Sequence, residues 1–267
     1  MASGFKRLIC GARDLIYPPK CSACRALLPW RVPSATPRAA EAFCKPCLLQ
    51  WEEATDAECG VCGAPVRECL CMPELLKRSK CRALCKLVYY VPGDETHASN
   101  RLIYHIKRNN DSKTPRFLSA QLLPVLSMLV GAEGIDVKDC VITYVPRSRR
   151  AYLEHGTDQS KELARCLGED LGMPTRALIK RDPKSNQAQK TLTPIEREKN
   201  ARESFLPMGD ECFCEGKSVF LVDDVVTTGA SMARCVRLLR KMGARRVWCI
   251  CIASDHVNRD LCVRAEI

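Results

Sequence analysis

The chain has 267 residues, 46% of them hydrophobic, and a formal net charge of +11. That is enough apolar material for one good core and a smaller module, and it excludes an intrinsically disordered chain. No uninterrupted run of about 18 apolar residues argues for a membrane span. The start, Met1-Ala2-Ser3 onward, leads into too short an apolar stretch for a secretory leader. The sequence thus points to a cytoplasmic protein with no membrane partner. Its basic balance favours anionic ligands, phosphates or nucleic acid, while an aromatic content of 6% limits base-stacking platforms.

Residues 1–17 read as a short amphipathic helix ending before Pro18-Pro19. Behind it, eight of the 19 cysteines fall in close pairs: Cys21-x-x-Cys24, Cys44-x-x-Cys47, Cys59-x-x-Cys62 and Cys69-x-Cys71. Two thiolates on one tight turn chelate a metal, and two such knuckles complete a tetrahedron. The surrounding residues are rich in Pro, Arg, Glu and Ala, so a metal staple supplies what a small core cannot. The spacing points to one or two structural Zn²⁺ ions. Sequential pairing, Cys21/Cys24/Cys44/Cys47 and Cys59/Cys62/Cys69/Cys71, is the simplest; crossed pairing, a disulfide framework and an iron–sulfur cluster stay open. Two tetrathiolate zinc sites would each carry −2 and bring the net charge to about +7. The remaining cysteines read as small packing residues.

Residues 1–72 therefore form a helix and double zinc-ribbon module. Residues 73–86 form a basic connector with Lys77, Arg78, Lys80, Arg82 and Lys86, read as a solvated linker helix. From 87 to 267 the pattern changes. An apolar strand at 87–91 is followed by helical patterns near 96–106 and 115–130, then by a buried-type strand at 140–145. Leu163, Leu167 and Leu171 mark a helix closed by Gly172 and Pro174. A strand at 218–222, a helix at 231–242 and a strand at 246–252 complete an alternation that predicts a doubly wound parallel α/β sheet. The polar, basic stretch 181–205 reads as a lid over a reactive sugar. His97, His105, His155 and His256 face no nucleophile in the pattern and receive no role.

The most informative segment is Val219 to Ser231. An apolar strand runs into Asp223 and Asp224, then Val225 and Val226, then Thr227-Thr228-Gly229-Ala230-Ser231 at a helix start. Open α/β sheets bind ligands at the carboxyl ends of their strands. Amides at a helix start suit a phosphate, whereas two acids one step upstream suit hydroxyl donors. A 5-phosphoribose satisfies both at once. The turn Pro146-Arg147-Ser148-Arg149-Arg150, at the end of the strand 140–145, has the charge to hold a pyrophosphate through Arg147, Ser148 and Arg149.

Residues 219–231 resemble the phosphoribosyl pyrophosphate (PRPP) signature of type I phosphoribosyltransferases, with Asp223 and Asp224 on the ribose-binding acids and Thr227 to Ser231 on the 5′-phosphate loop. Across nearly its whole length the chain resembles the ComF family. The cysteine pairs match that family's double zinc ribbon. Leu102 to Arg108, Arg149-Arg150 with His155 to Gln159, and Arg181, Gln189, Leu192, Arg197, Asn200 and Phe205 fall on its further blocks. Thr157 and Asp158 depart from the family's Phe and Asn. The resemblance implies a type I phosphoribosyltransferase fold, PRPP with Mg²⁺ as ligand, and a role tied to competence and DNA uptake beside other competence proteins. It leaves catalysis open. Thr227 stands where purine-salvage relatives carry an acid beside the base, and the N-terminus lacks the cysteine of glutamine-dependent relatives. Two functions follow: transfer or recognition of 5-phosphoribose, or a non-catalytic adaptor for single-stranded DNA.

Overall fold

The computed structural model describes residues 18–29, 42–90, 99–101, 103–104, 113–147, 158–182, 205–209, 211–255 and 262–265. The lead helix at 1–17 and all four histidines lie outside them. In chain order the elements are α1 (Lys45–Asp56), β1 (Met72–Pro73), α2 (Glu74–Arg78), β2 (Leu84–Cys85), β3 (Val88–Tyr90), α3 (Lys113–Ala132), β4 (Cys140–Tyr144), α4 (Gln159–Leu171), β5 (Ile179–Arg181), β6 (Phe205–Pro207), β7 (Ser218–Val226), α5 (Ala230–Lys241), β8 (Arg246–Asp255) and β9 (Cys262–Val263).

The main sheet is parallel, in the order β2-β8-β7-β4, with β3 continuing the edge beside β2 along β8. Its central strands are near-continuous apolar runs because both faces are covered. Side-chain alternation splits the core in two. Phe220, Val222, Trp248, Ile250 and Ile252 face α3 and α4. Val219, Leu221, Val247, Cys249 and Cys251 face α5 and α2. Helices on both faces make this the doubly wound α/β arrangement expected.

Each helix over the sheet has a local cause. Asp158 caps α4 by accepting from the Lys161 amide at 3.2 Å; Leu163, Ala164 and Leu167 form its buried stripe. The helix ends at Gly172, whose left-handed φ of 66° is the common glycine stop. Helix α5 starts at Gly229, with φ 73°, and buries Met232, Ala233, Cys235, Val236 and Leu239. Helix α3 is long and apolar enough, by length and composition, to cross a membrane. Yet Phe117, Leu118, Leu122, Leu126 and Leu129 lie in the core, and Pro124 sits inside it, so it serves as a core helix.

The segment 73–86 is not the solvated linker the sequence suggests. Leu84–Cys85 is a strand of the main sheet. Arg82 and Arg246 grip Glu133 at 2.8 and 2.9 Å, and that carboxylate is 7% exposed. Lys86 is 2% exposed. Basic residues signalled solvent, as holds for Arg78 and Lys80, but a two-residue strand is too short to show its period, and Arg82 and Lys86 have inward partners.

The cysteine-rich front shares the main core rather than standing apart. Phe43, Trp51 and Phe117 form a ring cluster with centroids 5.3 to 5.6 Å apart. This fastens α1 to α3.

Candidate functional site

Strand β7 is longer than its sequence signature. It runs through Val226, so the two acids lie on the strand and not in the turn; Asp223 pairs with Cys251, and Val225 with Ala253. Asp223 Oδ1 accepts from Ser160 Oγ at 3.1 Å and from the Asp224 amide at 2.9 Å. Asp224 Oδ1 accepts from the Val225 amide at 2.7 Å. Burial, then the neighbouring charge of Asp224, pushes the Asp223 carboxyl well above the usual carboxylate range.

Beyond the acids, Thr227 and Thr228 are exposed and Gly229 turns the chain into α5. Gly229 offers no side-chain cap. The Ala230 amide donates to Thr228 Oγ1 at a long 3.4 Å. The opening amides lie at the positive end of a 12-residue helix, where an anion is favoured.

Arg147 reaches this place from β4. Its Nη2 stands 3.5 Å from Asp224 Oδ2, with both side chains mostly buried. Ser148 and Arg149 lie outside the described residues. Asp158, at the start of α4, faces the same centre: burial pushes its carboxyl up, while bonds from the Lys161 and Arg147 amides oppose the rise. Arg181 donates from Nε to the Pro146 carbonyl at 2.9 Å, and its guanidinium lies over the Phe205 ring at 4.7 Å. The antiparallel pair β5–β6 joins Arg181 to Phe205; residues 183–204, most of the stretch read as a lid, lie outside the described residues.

The cysteines meet in the sequential arrangement. The sulfurs of Cys21, Cys24, Cys44 and Cys47 all lie within 4.8 Å of one another, and so do those of Cys59, Cys62, Cys69 and Cys71. Cys24 Sγ and Cys44 Sγ are 3.5 Å apart. That is too far for a disulfide, and it is near the ~3.8 Å edge of a tetrahedron with metal–sulfur bonds of about 2.3 Å. All eight of these cysteines are free. Burial opposes ionisation of Cys59, but bonds from the Tyr89 side chain and the Val61 and Cys62 backbone outweigh it and bring the thiol to about 6. Burial and the charges of Cys69 and Cys59 push Cys71 up. One thiolate forms readily and raises its neighbours, a conflict that a divalent cation removes. The donor set therefore fits one four-coordinate ion at each site.

Sequence reasoning missed Ser160, Lys86 and Tyr89. Lys86 Nζ donates to the Cys71 carbonyl at 2.8 Å and the Cys69 carbonyl at 3.2 Å, and lies 3.3 Å from Cys69 Sγ. No local pattern marks these residues, because packing between segments distant in sequence brings them in.

The phosphoribosyl transferase domain model matches residues 156–261, which include the acids and the loop. The DNA utilization protein YhgH of Escherichia coli O6:H1 is 28% identical over 248 residues, covering 89% of this chain and 98% of that protein. The same-named protein of Salmonella typhimurium is 28% identical over 164 residues, covering 60% of this chain and 69% of the relative. These matches agree with the ComF-family resemblance read from the sequence. The chain joins the region matched by this transferase domain model to a front end whose cysteines suit a zinc ribbon. Among solved structures, an allosteric regulatory enzyme of purine biosynthesis aligns at 24% identity with a TM-score of 0.33. The alignment covers 46% of this chain and 23% of that one, so the chain spans about a quarter of that enzyme, and so low a score carries no weight.

Proposed function

We propose that the end of β7 holds a 5-phosphorylated ribose, brought as PRPP with Mg²⁺, for transfer to an acceptor or for recognition. One observation carries this: Asp223 and Asp224 are neighbours near the carboxyl end of β7, and the short turn beyond that strand leads to the N-terminal amides of α5, where Gly229 supplies no side-chain cap. The acids accept from the ribose hydroxyls, and the amides of 228–231 cradle the 5′-phosphate. Arg147 turns from Asp224 to the diphosphate, where charge develops as it departs. Asp223 and Asp224, which hold the ribose, would also help place Mg²⁺. The ion would supply charge neutralisation of the leaving group. Zn²⁺ at the two cysteine sites is structural, because four thiolates leave no open position for chemistry.

Titration calorimetry with PRPP–Mg²⁺ tests the site. Binding to the wild-type protein that is lost in Asp224→Asn supports it; no binding to the wild type ends it. Pyrophosphate release on adding nucleobases or amines then separates transfer from recognition.

A second reading has support of its own: the relatives are named DNA utilization proteins, and the chain carries +11. In that reading the protein is a single-stranded-DNA adaptor in DNA uptake, working with other competence proteins. Oligonucleotide affinity that falls steeply with salt, with no PRPP binding, would select it.

A further inference from the structure

We infer that the second cysteine centre and the loop 227–231 form one mechanical unit, so that a metal ion on Cys59, Cys62, Cys69 and Cys71 sets the order of that loop. The functional consequence rests on the phosphoribose reading above; the coupling itself does not.

The connection runs through the chain immediately after the last ligand. Cys71 is followed by Met72 and Pro73 of β1, then by α2. Met72 and Leu76 are fully buried. A Cβ placed on Gly229 would lie 3.2 Å from Leu76 Cγ and 3.4 Å from Pro73 Cβ. Residues two and five positions past a ligand thus close directly over the glycine that turns β7 into α5. Moving Cys71 moves the wall of the loop.

Two further fastenings hold the centre to the rest of the fold. Four thiolates around a divalent ion carry a net −2, and Lys86 is a buried cation set against them, bonded to both the Cys69 and Cys71 carbonyls. Lys86 lies between β2 and β3, both of which pair with β8. On the other side, β1 pairs with β9, Met72 opposite Val263, and Arg264 Nε donates to the Val61 carbonyl within the knuckle at 3.3 Å.

Among the described residues the first centre has no such route. It docks through Phe43 and Trp51 on Phe117, in the core on the α3 face, whereas Leu76 and α5 belong to the opposite core. Emptying the first centre should leave the loop alone. Coupling free energies are reciprocal, so a ligand that orders the loop should also slow metal loss from the second centre and not from the first.

The test uses full-length, zinc-loaded protein. Metal release to a chromophoric chelator is followed together with amide exchange of 227–233 and of 246–252 as a fold control. Cys71→Ser should lose one zinc equivalent and raise loop exchange about tenfold or more, within the usual range of coupling. Cys47→Ser should lose the other equivalent with the loop unchanged. Lys86→Met should speed release of one equivalent only. Leu76→Ala keeps every ligand, so it decides the matter if Cys71→Ser does not fold: faster release of one equivalent and a looser loop support the unit. Loop exchange indifferent to Cys71→Ser, or equal in Cys47→Ser, overturns the proposal. So does metal release indifferent to Leu76→Ala. If the wild type does not bind PRPP, the phosphoribose reading falls while these exchange results still judge the coupling.

Discussion

The two four-cysteine centres begin on the same turn. In each, the first cysteine's amide bonds five residues ahead, Cys21 to Ala26 and Cys59 to Ala64, and its carbonyl accepts four residues ahead, from Arg25 and Gly63. Both turns need a left-handed residue at that fourth place: Arg25 at φ 65° and Gly63 at φ 75°. Beyond the turn they differ. The first centre keeps Cys24 exposed and docks by aromatic rings. The second buries three of its four cysteines and is held by Lys86, Tyr89 and the last described strand. The same metal chemistry thus serves to attach one piece and to brace another. What surrounds the ligands decides which.

Breaking the first centre gives the largest effect. Structural zinc is worth on the order of 10 kcal/mol of folding energy in small modules. Cys47→Ser should therefore expose residues 42–56 to rapid amide exchange while β7 and β8 stay protected. Exchange rising equally in both regions would show that the front and the sheet melt as one. Trp51→Ala attacks the docking instead of the ligands. It should cost about 3–5 kcal/mol, read as a lower denaturant midpoint with zinc stoichiometry unchanged.

Asp223 tests the opposite pole of the molecule. Its carboxyl is raised in the folded state, so the fold holds that proton more tightly than the unfolded chain does. The stability it gives is complete below the ordinary carboxylate range, near 3.8. It drains away as pH climbs through the raised folded value. Asp223→Asn should then raise Tm at pH 7, change it little at pH 4, and abolish PRPP binding. A lower Tm at pH 7 would mean that Ser160 and the Asp224 amide need the charge they bond. Arg25→Gly sharpens the comparison of the two turns. It should stabilise by about 1 kcal/mol, the usual cost of a left-handed residue with a Cβ, and no change would show that Arg25 is compensated by its surroundings. Smallest is Arg78→Ala, which removes an exposed bond to Glu74 at 3.0 Å. About 0.3–0.5 kcal/mol is expected by urea titration.

What could be read from the sequence was contiguous. Asp223 to Ser231 carry acids, glycine and helix start within nine residues, and each cysteine pair declares itself within four. The parallel strands β4, β7 and β8 show as apolar runs because both their faces are covered. What was hidden depends on register between distant segments. Ser160 meets Asp223 from 63 positions away, and Pro73 and Leu76 meet Gly229 across more than 150. The connector was misread because charge was taken as exposure, while Lys86 and Arg82 each answer a buried partner. Strands β1 and β9, two residues each, are too short to announce a period at all.

The small ladder β5–β6 places Arg181 opposite Phe205, so the two ends of the 23-residue segment between them are held together. Doubling such an excursion adds only about 0.6 kcal/mol of closure entropy. This makes the position a natural cassette site. A segment of different length can close on the same two-strand anchor, and a reporter inserted there would be tethered beside the Arg147 turn through the bond from Arg181 to the Pro146 carbonyl.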